Sequence, residues 1–278
     1  SQNPTIQGKD KQMSILITNS ADAAHYLKQN QNNLQKSLKR LSSGKKITGG
    51  ADDPGGLAIS MKLNASIKRL AGAENNVQNG LSYLEVQDGL LETAGNILTR
   101  VSELFGLYSG DPLKADDGSE QTAMDAEFAD LKTQFTAIAG MTFNEATLFG
   151  TGTSDIGIDA EGDTTIAIAQ ADLGDGDITA VTAAASLDDL DVDTINTALD
   201  KVASLRSTNG SGQNRLQFTA QSLSLQRINM TAALSRVEDV DLAAETAALA
   251  KHSIMTQASA AMVAQANSQN DIALMLLS

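Results

Sequence analysis

Cysteine and tryptophan are absent from this chain of 278 residues, aromatic residues make up 3 % of it, and proline occurs three times. Without cysteine there is no disulfide, no thiolate metal ligand and no thiol nucleophile. A core this poor in rings has to be built from Leu, Ile, Val and Ala, which suits long helices packed through small contacts better than a compact aromatic interior. Pro112 is the last proline, so no later segment is barred from helix by a pyrrolidine ring. No apolar run approaches the ~20 residues of a membrane span. MSILI at Met13 to Ile17 is too short for the apolar region of a secretory signal, so export is expected to use another route. No basic face is interleaved with aromatics, which argues against nucleic acid as a partner.

Material for catalysis is equally scarce. His25 and His252 are the only two histidines, they do not form the HExxH spacing that places two ligands on one helix face, and each reads as a structural or surface residue. The acidic groups DLGDGD at Asp172 to Asp177 and DDLDVD at Asp188 to Asp193 lack the ligand spacing and closing glutamate of an EF-hand, so they read as solvated loop and helix cap. Asn64, Asn209 and Asn229 each begin an N-x-Ser/Thr triplet. Two of these fall inside helical patterns, and chance accounts for them. The expectation is a chain with no catalytic residue, no cofactor and no metal.

Charge is unevenly spread. Residues 1–50 carry eight Lys/Arg against two Asp/Glu, and residues 201–278 carry six against five. Residues 51–150 carry six against fifteen, and residues 151–200 carry none against twelve. The acidic load of a chain with net charge −14 therefore lies in its middle, where self-repulsion favours solvation, and the ends stay free to associate.

Residues 1–12, SQNPTIQGKDKQ, are polar and aperiodic and are expected to form a disordered extension. Apolar residues then recur at alternating three and four: Ala24, Leu27, Leu34, Leu38 and Leu41, with polar Gln31 in the same seam. Each leucine buried against a partner helix is worth ~1.5–3 kcal/mol. Gly-rich residues before Pro54 break this pattern, so one helix is predicted to end before Gly44 and another to begin after Pro54, with Asp52 and Asp53 suited to its start. The second pattern runs through Leu63, Ile67, Leu70, Val77, Leu81, Leu84 and Leu91, with Glu74 and Asp88 in the vacant seam positions. It then shifts by one residue to Ala94, Leu98, Val101 and Phe105, and SGDP at Ser109 to Pro112 ends it. A shorter helix carrying Met124, Phe128, Leu131, Phe135 and Ile138 follows, capped by Gly140.

Between Phe149 and Asp191 the character changes. Ile156 and Ile158, then Ile166 and Ile168, alternate at period two around Glu161-Gly162 and predict a β-hairpin. Ser186 and Asp189 have capping-box spacing for the next helix. That helix is predicted through Ile195, Leu199, Val202, Leu216, Ala220, Leu223, Met230, Leu234 and Val237, with Arg206, Gln213 and Arg227 intruding on its seam. Beyond Glu238 eleven alanines fall between Ala243 and Ala273, and Ile272 to Leu277 are nearly all apolar. An exposed tail of that kind implies something that covers it.

RLSSGKKITGGADDPGGLAIS at Arg40 to Ser60 resembles the N-terminal core signature of bacterial flagellin. QNRL at Gln213 to Leu216, ALSRVEDVDLAAE at Ala233 to Glu245 and AQANSQNDIALMLLS at Ala264 to Ser278 resemble its C-terminal core, in the same order. The resemblance covers roughly Met13 to Phe149 and Arg206 to Ser278 and is weak between them. It implies a mainly α fold in which both termini form a long antiparallel helical bundle or coiled coil, with a small β-hairpin region in the middle of the chain. The expected organisation pairs 13–54 with 237–278 as the inner core of a filament, and makes 55–236 a helix-bundle domain whose acidic segment 150–192 faces outside. A structural subunit of the extracellular flagellar filament is implied, exported by the flagellar type III apparatus. Implied partners are copies of itself, an export chaperone, cap and hook-associated proteins, and other flagellins. Rival readings are a hook-filament junction protein, since Asp52-Asp53-Pro54 has a proline common in that group, and a secreted adhesin or signalling ligand.

The chain's physical pattern agrees with self-assembly. Two amphipathic termini with seams and no compact core can bury those seams only against each other and against further copies, and head-to-tail contact between different patches generates an open helical polymer. The residues expected to carry assembly are Leu27, Leu34, Leu38, Leu41, Ile254, Ile272 and Leu276. LTRVSEL at Leu98 to Leu104 resembles the flagellin segment recognised by a Toll-like receptor, which assigns Arg100, Glu103 and Leu104 as innate-receptor contacts. Ser102 stands where an arginine is common in that segment. The plainer reading of Arg100 and Glu103 is a subunit contact.

Overall fold

The computed structural model describes residues 4–110, 118–159 and 163–275, with side chains described for 21–110, 118–159, 163–269 and 275. The chain is mainly helical. Helices α1 (Pro4–Ser43), α2 (Pro54–Gly110) and α3 (Ser119–Ala139) come first, and β1 (Thr142–Phe143), β2 (Ala146–Thr147), β3 (Thr153–Gly157) and β4 (Thr165–Ala169) follow. Helix α4 (Gly176–Ala183), a 3₁₀ turn at Leu187–Asp189, α5 (Val192–Glu238) and α6 (Leu242–Met275) complete it. Two compact units emerge, one built from Ser1–Asn64 with Thr231–Ser278, the other from Ala65–Met230.

Local chemistry sets the helix ends. Gly44 takes a left-handed φ of 68° just past α1, a conformation that costs glycine nothing. Pro54 opens α2, where its missing N–H is no loss, and the Asp53 carboxylate accepts the Gly56 N–H at 2.9 Å. Gly140 closes α3 by donating its N–H to the Thr136 carbonyl at 3.2 Å. Helix α1 differs from expectation at its start. Residues 4–12 are helical, not a disordered extension, because proline is tolerated in a first turn and nothing strong interrupts the helix before Gly44. Ser186 and Asp189 do bond to each other, the Ser186 N–H and hydroxyl reaching Asp189 Oδ2 at 3.3 and 3.4 Å. They cap only the 3₁₀ turn, and α5 begins later, at Val192.

The unit Ala65–Met230 holds two cores. In one, Leu91, Leu98, Val101 and Leu104 of α2 meet Phe128, Phe135 and Ile138 of α3, Ile178 and Val181 of α4, and Ile195 and Val202 of α5. In the other, Leu70, Val77 and Leu84 pack with Leu216 and Leu223 of α5 and with Leu148, Ile166 and Ile168. The polar seam positions find each other across the antiparallel α2–α5 pair. Glu74 meets Arg227 at 3.0 Å, and Arg206 meets Asp88 at 3.2 Å and Glu92 at 3.1 Å. A chain of amides runs between these ion pairs. Gln213 donates to Asn209 Oδ1 at 2.8 Å, Asn209 to Gln87 Oε1 at 2.7 Å, and Gln87 to the Leu148 carbonyl at 2.5 Å.

The predicted hairpin is β3–β4, with Ile156 opposite Ile166 and Gly157 opposite Thr165. Its connection is longer than a two-residue turn, since Asp159 accepts the N–H groups of Asp163 and Thr164 at 3.1 and 2.8 Å; Glu161 and Gly162 lie outside the described residues. Ile156 seats against α2 at Gly80, where an added Cβ would stand 2.0 Å from its Cδ1. A second, smaller hairpin pairs Phe143 with Ala146. Asn144 and Glu145 both have positive φ in its turn, as a two-residue type I′ connection requires.

Candidate functional site

The unit built from both chain ends begins at the two breaks in the helices, which are laced together. Lys45 bridges to Asp239, the Lys46 N–H donates to the Glu238 carbonyl at 2.6 Å, and the Val240 N–H donates to the Gly44 carbonyl at 3.0 Å. Glu238 is 9 % exposed; its carboxylate pairs with Lys45 Nζ and accepts the Ser60 hydroxyl at 3.2 Å. The α1–α2 loop is tied in the same way. Asp52 receives Lys36 Nζ at 2.7 Å and the Thr48 N–H and hydroxyl at 3.2 and 2.8 Å. The Lys36 ammonium, helped by both Thr48 donors, holds the Asp52 carboxyl far below the usual range. Ile47 is buried against Gly56, where a Cβ would come within 2.6 Å of Ile47 Cδ1.

Beyond the loop, α1 and α6 run antiparallel, and the side chains that join them are small and polar. Asn30 donates to Ser259 Oγ at 2.8 Å and to the Met255 carbonyl at 3.4 Å, and Arg40 lies 3.9 Å from Glu245. Asn30, Ser37 and Ser259 are buried, and Ala248, His252 and Thr256 are half-buried. The seam expected from spacing is thus turned by about one residue. Asn30 and Ser37 occupy the contact positions, while Ala24, Gln31 and Leu38 are exposed. Leu27, Leu34 and Leu41 flank the contact and are half-buried. The physical reason lies in α6, which presents Ala248, Thr256 and Ser259 at the contact, and Ser259 there accepts a hydrogen bond that Asn30 can donate and a leucine cannot.

Large apolar side chains consequently face away from the intrachain contact. Leu38 is 49 % exposed on α1, and Ile254 is 67 % exposed on α6, on a face it shares with Ala247, Ala250, Ala258 and Ala261. Leu242, Met255 and Met262 are exposed as well. Of the assembly residues predicted from sequence, Leu38 and Ile254 therefore sit on the uncovered face, and Leu27, Leu34 and Leu41 border the helix contact. Ile272 and Leu276 lie outside the described side chains. Sequence reasoning missed Asn30, Ser259 and Glu238. Only Asn30 had a visible signal, as a polar residue one place before the assigned seam.

Arg100 and Glu103 form a surface cluster on α2. Arg100 Nε donates to Glu127 of α3 at 2.8 Å and its Nη1 to Glu103 at 2.9 Å; the hydrogen bond accepted by Glu127, then that accepted by Glu103, raises the guanidinium above its ordinary value. Leu104 corrects its assignment as a contact. It is 2 % exposed and packs in the core with Phe128 and Phe135, because the α2 face turned to α3 carries Val101 and Leu104 three residues apart. Among the described residues no group of three or more His, Asp or Glu could hold a metal ion, and no helix is long and apolar enough to cross a membrane.

Two family descriptions match either side of the acidic middle, "Bacterial flagellin N-terminal helical region" over residues 17–153 and "Bacterial flagellin C-terminal helical region" over residues 192–277. The chain belongs to the bacterial flagellin family. It is 34 % identical over 256 residues to the flagellin of Halalkalibacterium halodurans, covering 89 % of this chain and 93 % of that one. It is 32 % identical over 289 residues to the flagellin of Bacillus subtilis, covering 90 % of this chain and 95 % of that one. A solved structure of a putative flagellar hook-associated protein from Vibrio parahaemolyticus superposes with a TM-score of 0.55 over 68 % of this chain and 100 % of that one, at 12 % identity. That likeness concerns the fold alone. As a family, flagellins are structural proteins.

Proposed function

We propose that this chain is a structural subunit that polymerises into the extracellular bacterial flagellar filament and so serves motility. The observation that carries the reading is the α1–α6 pair, which uses small polar side chains for its own contact and leaves Leu38, Leu242, Ile254, Met255 and Met262 uncovered. Apolar side chains ranged along two helices call for further copies, and contacts between unlike faces repeat without closing. In this reading the paired termini, 13–54 with 237–278, supply the filament's inner core and the acidic segment 150–192 its outer surface. Leu27, Leu34, Leu38, Leu41, Ile254, Ile272 and Leu276 carry the packing between copies.

The finer partners follow family membership. An export chaperone, the flagellar type III apparatus, cap and hook-associated proteins and other flagellins are proposed as the chain's contacts on its way to and within the filament. Arg100 and Glu103 are exposed enough to meet an innate receptor or a neighbouring subunit. The α2–α3 ion-pair cluster favours the neighbour, since Arg100 is already held by two carboxylates. Electron microscopy of the purified chain under polymerising conditions tests the main reading: long uniform filaments are expected. Short assemblies would point to a junction protein, and binding without assembly to a ligand. A chain lacking residues 1–41 and 243–278 that still built tubes of normal length would overturn it.

A further inference from the structure

Helix α6 carries three thioethers: Met255 and Met262, seven residues apart, are 41 % and 54 % exposed, and Met275 at its end is 81 % exposed. Together with Tyr26 of α1, itself 57 % exposed, Met255 and Met262 line a groove between the two helices of about 390 Å³, which also meets Asn30, His252 and Ser259. In a chain with no cysteine and eight methionines, the thioether is the oxidisable sulfur. Its reactivity follows exposure. Met124 and Met230 are partly buried against the cores of the other unit; Met61, Met141 and Met275 are exposed like Met255 and Met262, but Met255 and Met262 are the two that line the groove of the terminal helix pair.

We propose that Met255 and Met262 form an oxidant-sensitive modification site on the assembly surface, at which hydrogen peroxide blocks association of free subunits and from which it is excluded once a second copy covers the groove. The inference rests on the reading of the chain as a filament subunit. In the step itself the sulfur lone pair attacks one peroxide oxygen, the S–O bond forms as the O–O bond breaks, and the other oxygen leaves as water after proton transfer. Sulfur loses two electrons and the peroxide gains them. The product is a polar, chiral sulfoxide in place of a flexible apolar side chain. Its oxygen is a strong acceptor that an apolar covering face cannot satisfy, and a buried acceptor without a donor opposes association.

The test uses the full-length chain. Purified monomer is oxidised partially with hydrogen peroxide, polymerised, sedimented, and mapped by mass spectrometry in pellet and supernatant. Sulfoxide at Met255 and Met262 is expected to be depleted from the pellet by about tenfold. Sulfoxide at Met141, which is 45 % exposed and lies in the other unit, is expected to divide evenly. In parallel, M255L/M262L, which keeps apolar volume in the groove without its two sulfurs, is expected to polymerise equally well before and after peroxide, although Met61, Met141 and Met275 still oxidise. Even partition of sulfoxide at Met255 and Met262, or equal peroxide sensitivity of wild type and the leucine variant, overturns the proposal. An untreated chain that forms no filament overturns the subunit reading beneath it, which the peroxide arms by themselves would not do.

Discussion

Single residues in this chain do most of their work at breaks and turns. Asp52 is the clearest case, because its carboxyl is depressed in the folded state by Lys36 first and by Thr48 after it. A depressed carboxyl contributes stability that is fully present above the unfolded value near pH ~4 and is lost as pH falls through the folded value. Asp52→Asn is therefore expected to lower the denaturation midpoint of the terminal unit at pH 7, with the gap to wild type narrowing steadily as pH is taken from about 5 down to 2. A gap that does not change with pH would mean that Asp52 acts through shape instead of charge. Glu145 makes the opposite prediction. It holds φ at 68° in the β1–β2 turn, which disfavours every side chain that has a Cβ. Glu145→Gly should stabilise the Ala65–Met230 unit by about 0.5–1 kcal/mol in a urea titration.

Elements show where sequence periodicity suffices and where it does not. The heptad leucines of α2 were legible because burial on one face of a long helix leaves a repeat of seven, and the structure buries Leu70, Val77, Leu84, Leu91 and Leu98 in turn. The β3–β4 hairpin was legible because Ile156, Ile166 and Ile168 alternate against a single underlying surface. Helix α4 was not, since its eight residues are too short for periodicity to separate from a Gly- and Asp-rich loop. The α1–α6 contact was misplaced because leucine spacing marks every apolar stripe, and here the stripe serves surfaces beyond the intrachain pair, while Asn30 and Ser37 make that contact. The polar intrusions on α2 and α5 were visible singly, but only the fold pairs Glu74 with Arg227 and Asp88 with Arg206. Between them, Gln87 is 1 % exposed and Asn209 is 5 % exposed. Gln87→Leu removes the shorter donor to the Leu148 carbonyl, which keeps Tyr83 at 3.4 Å, and the Gln87 acceptor of Asn209, which keeps the Leu84 carbonyl at 3.1 Å; it should cost about 1–2 kcal/mol. The double variant Q87L/N209L should recover part of that loss, and calorimetry of the three proteins checks the non-additivity.

At the scale of the whole molecule, the two units differ in what stabilises them when a copy is alone. The unit Ala65–Met230 buries rings and branched side chains from several elements in two cores. The terminal unit has no comparable core among its described residues. In α6, a helix of 34 residues, Ser259 is the one fully buried side chain among those described. Ordering each residue costs about 1–2 kcal/mol of backbone entropy, which alanine propensity and one buried Asn30–Ser259 bond offset poorly. Residues 243–273 and the 24–41 seam should accordingly open readily in the monomer, and their amides should exchange with solvent deuterium fast. In the filament, covering Leu38, Ile254, Met255 and Met262 adds the missing apolar burial, so exchange there should slow by about a hundredfold or more. Amides at Leu91, Phe128 and Ile195, already sealed in the other unit, should exchange at similar rates in both states. Mass-spectrometric deuterium uptake on monomer and polymer reads both regions in one experiment, and equally slow exchange of 243–273 in the two states would show that the terminal helices are complete without neighbours.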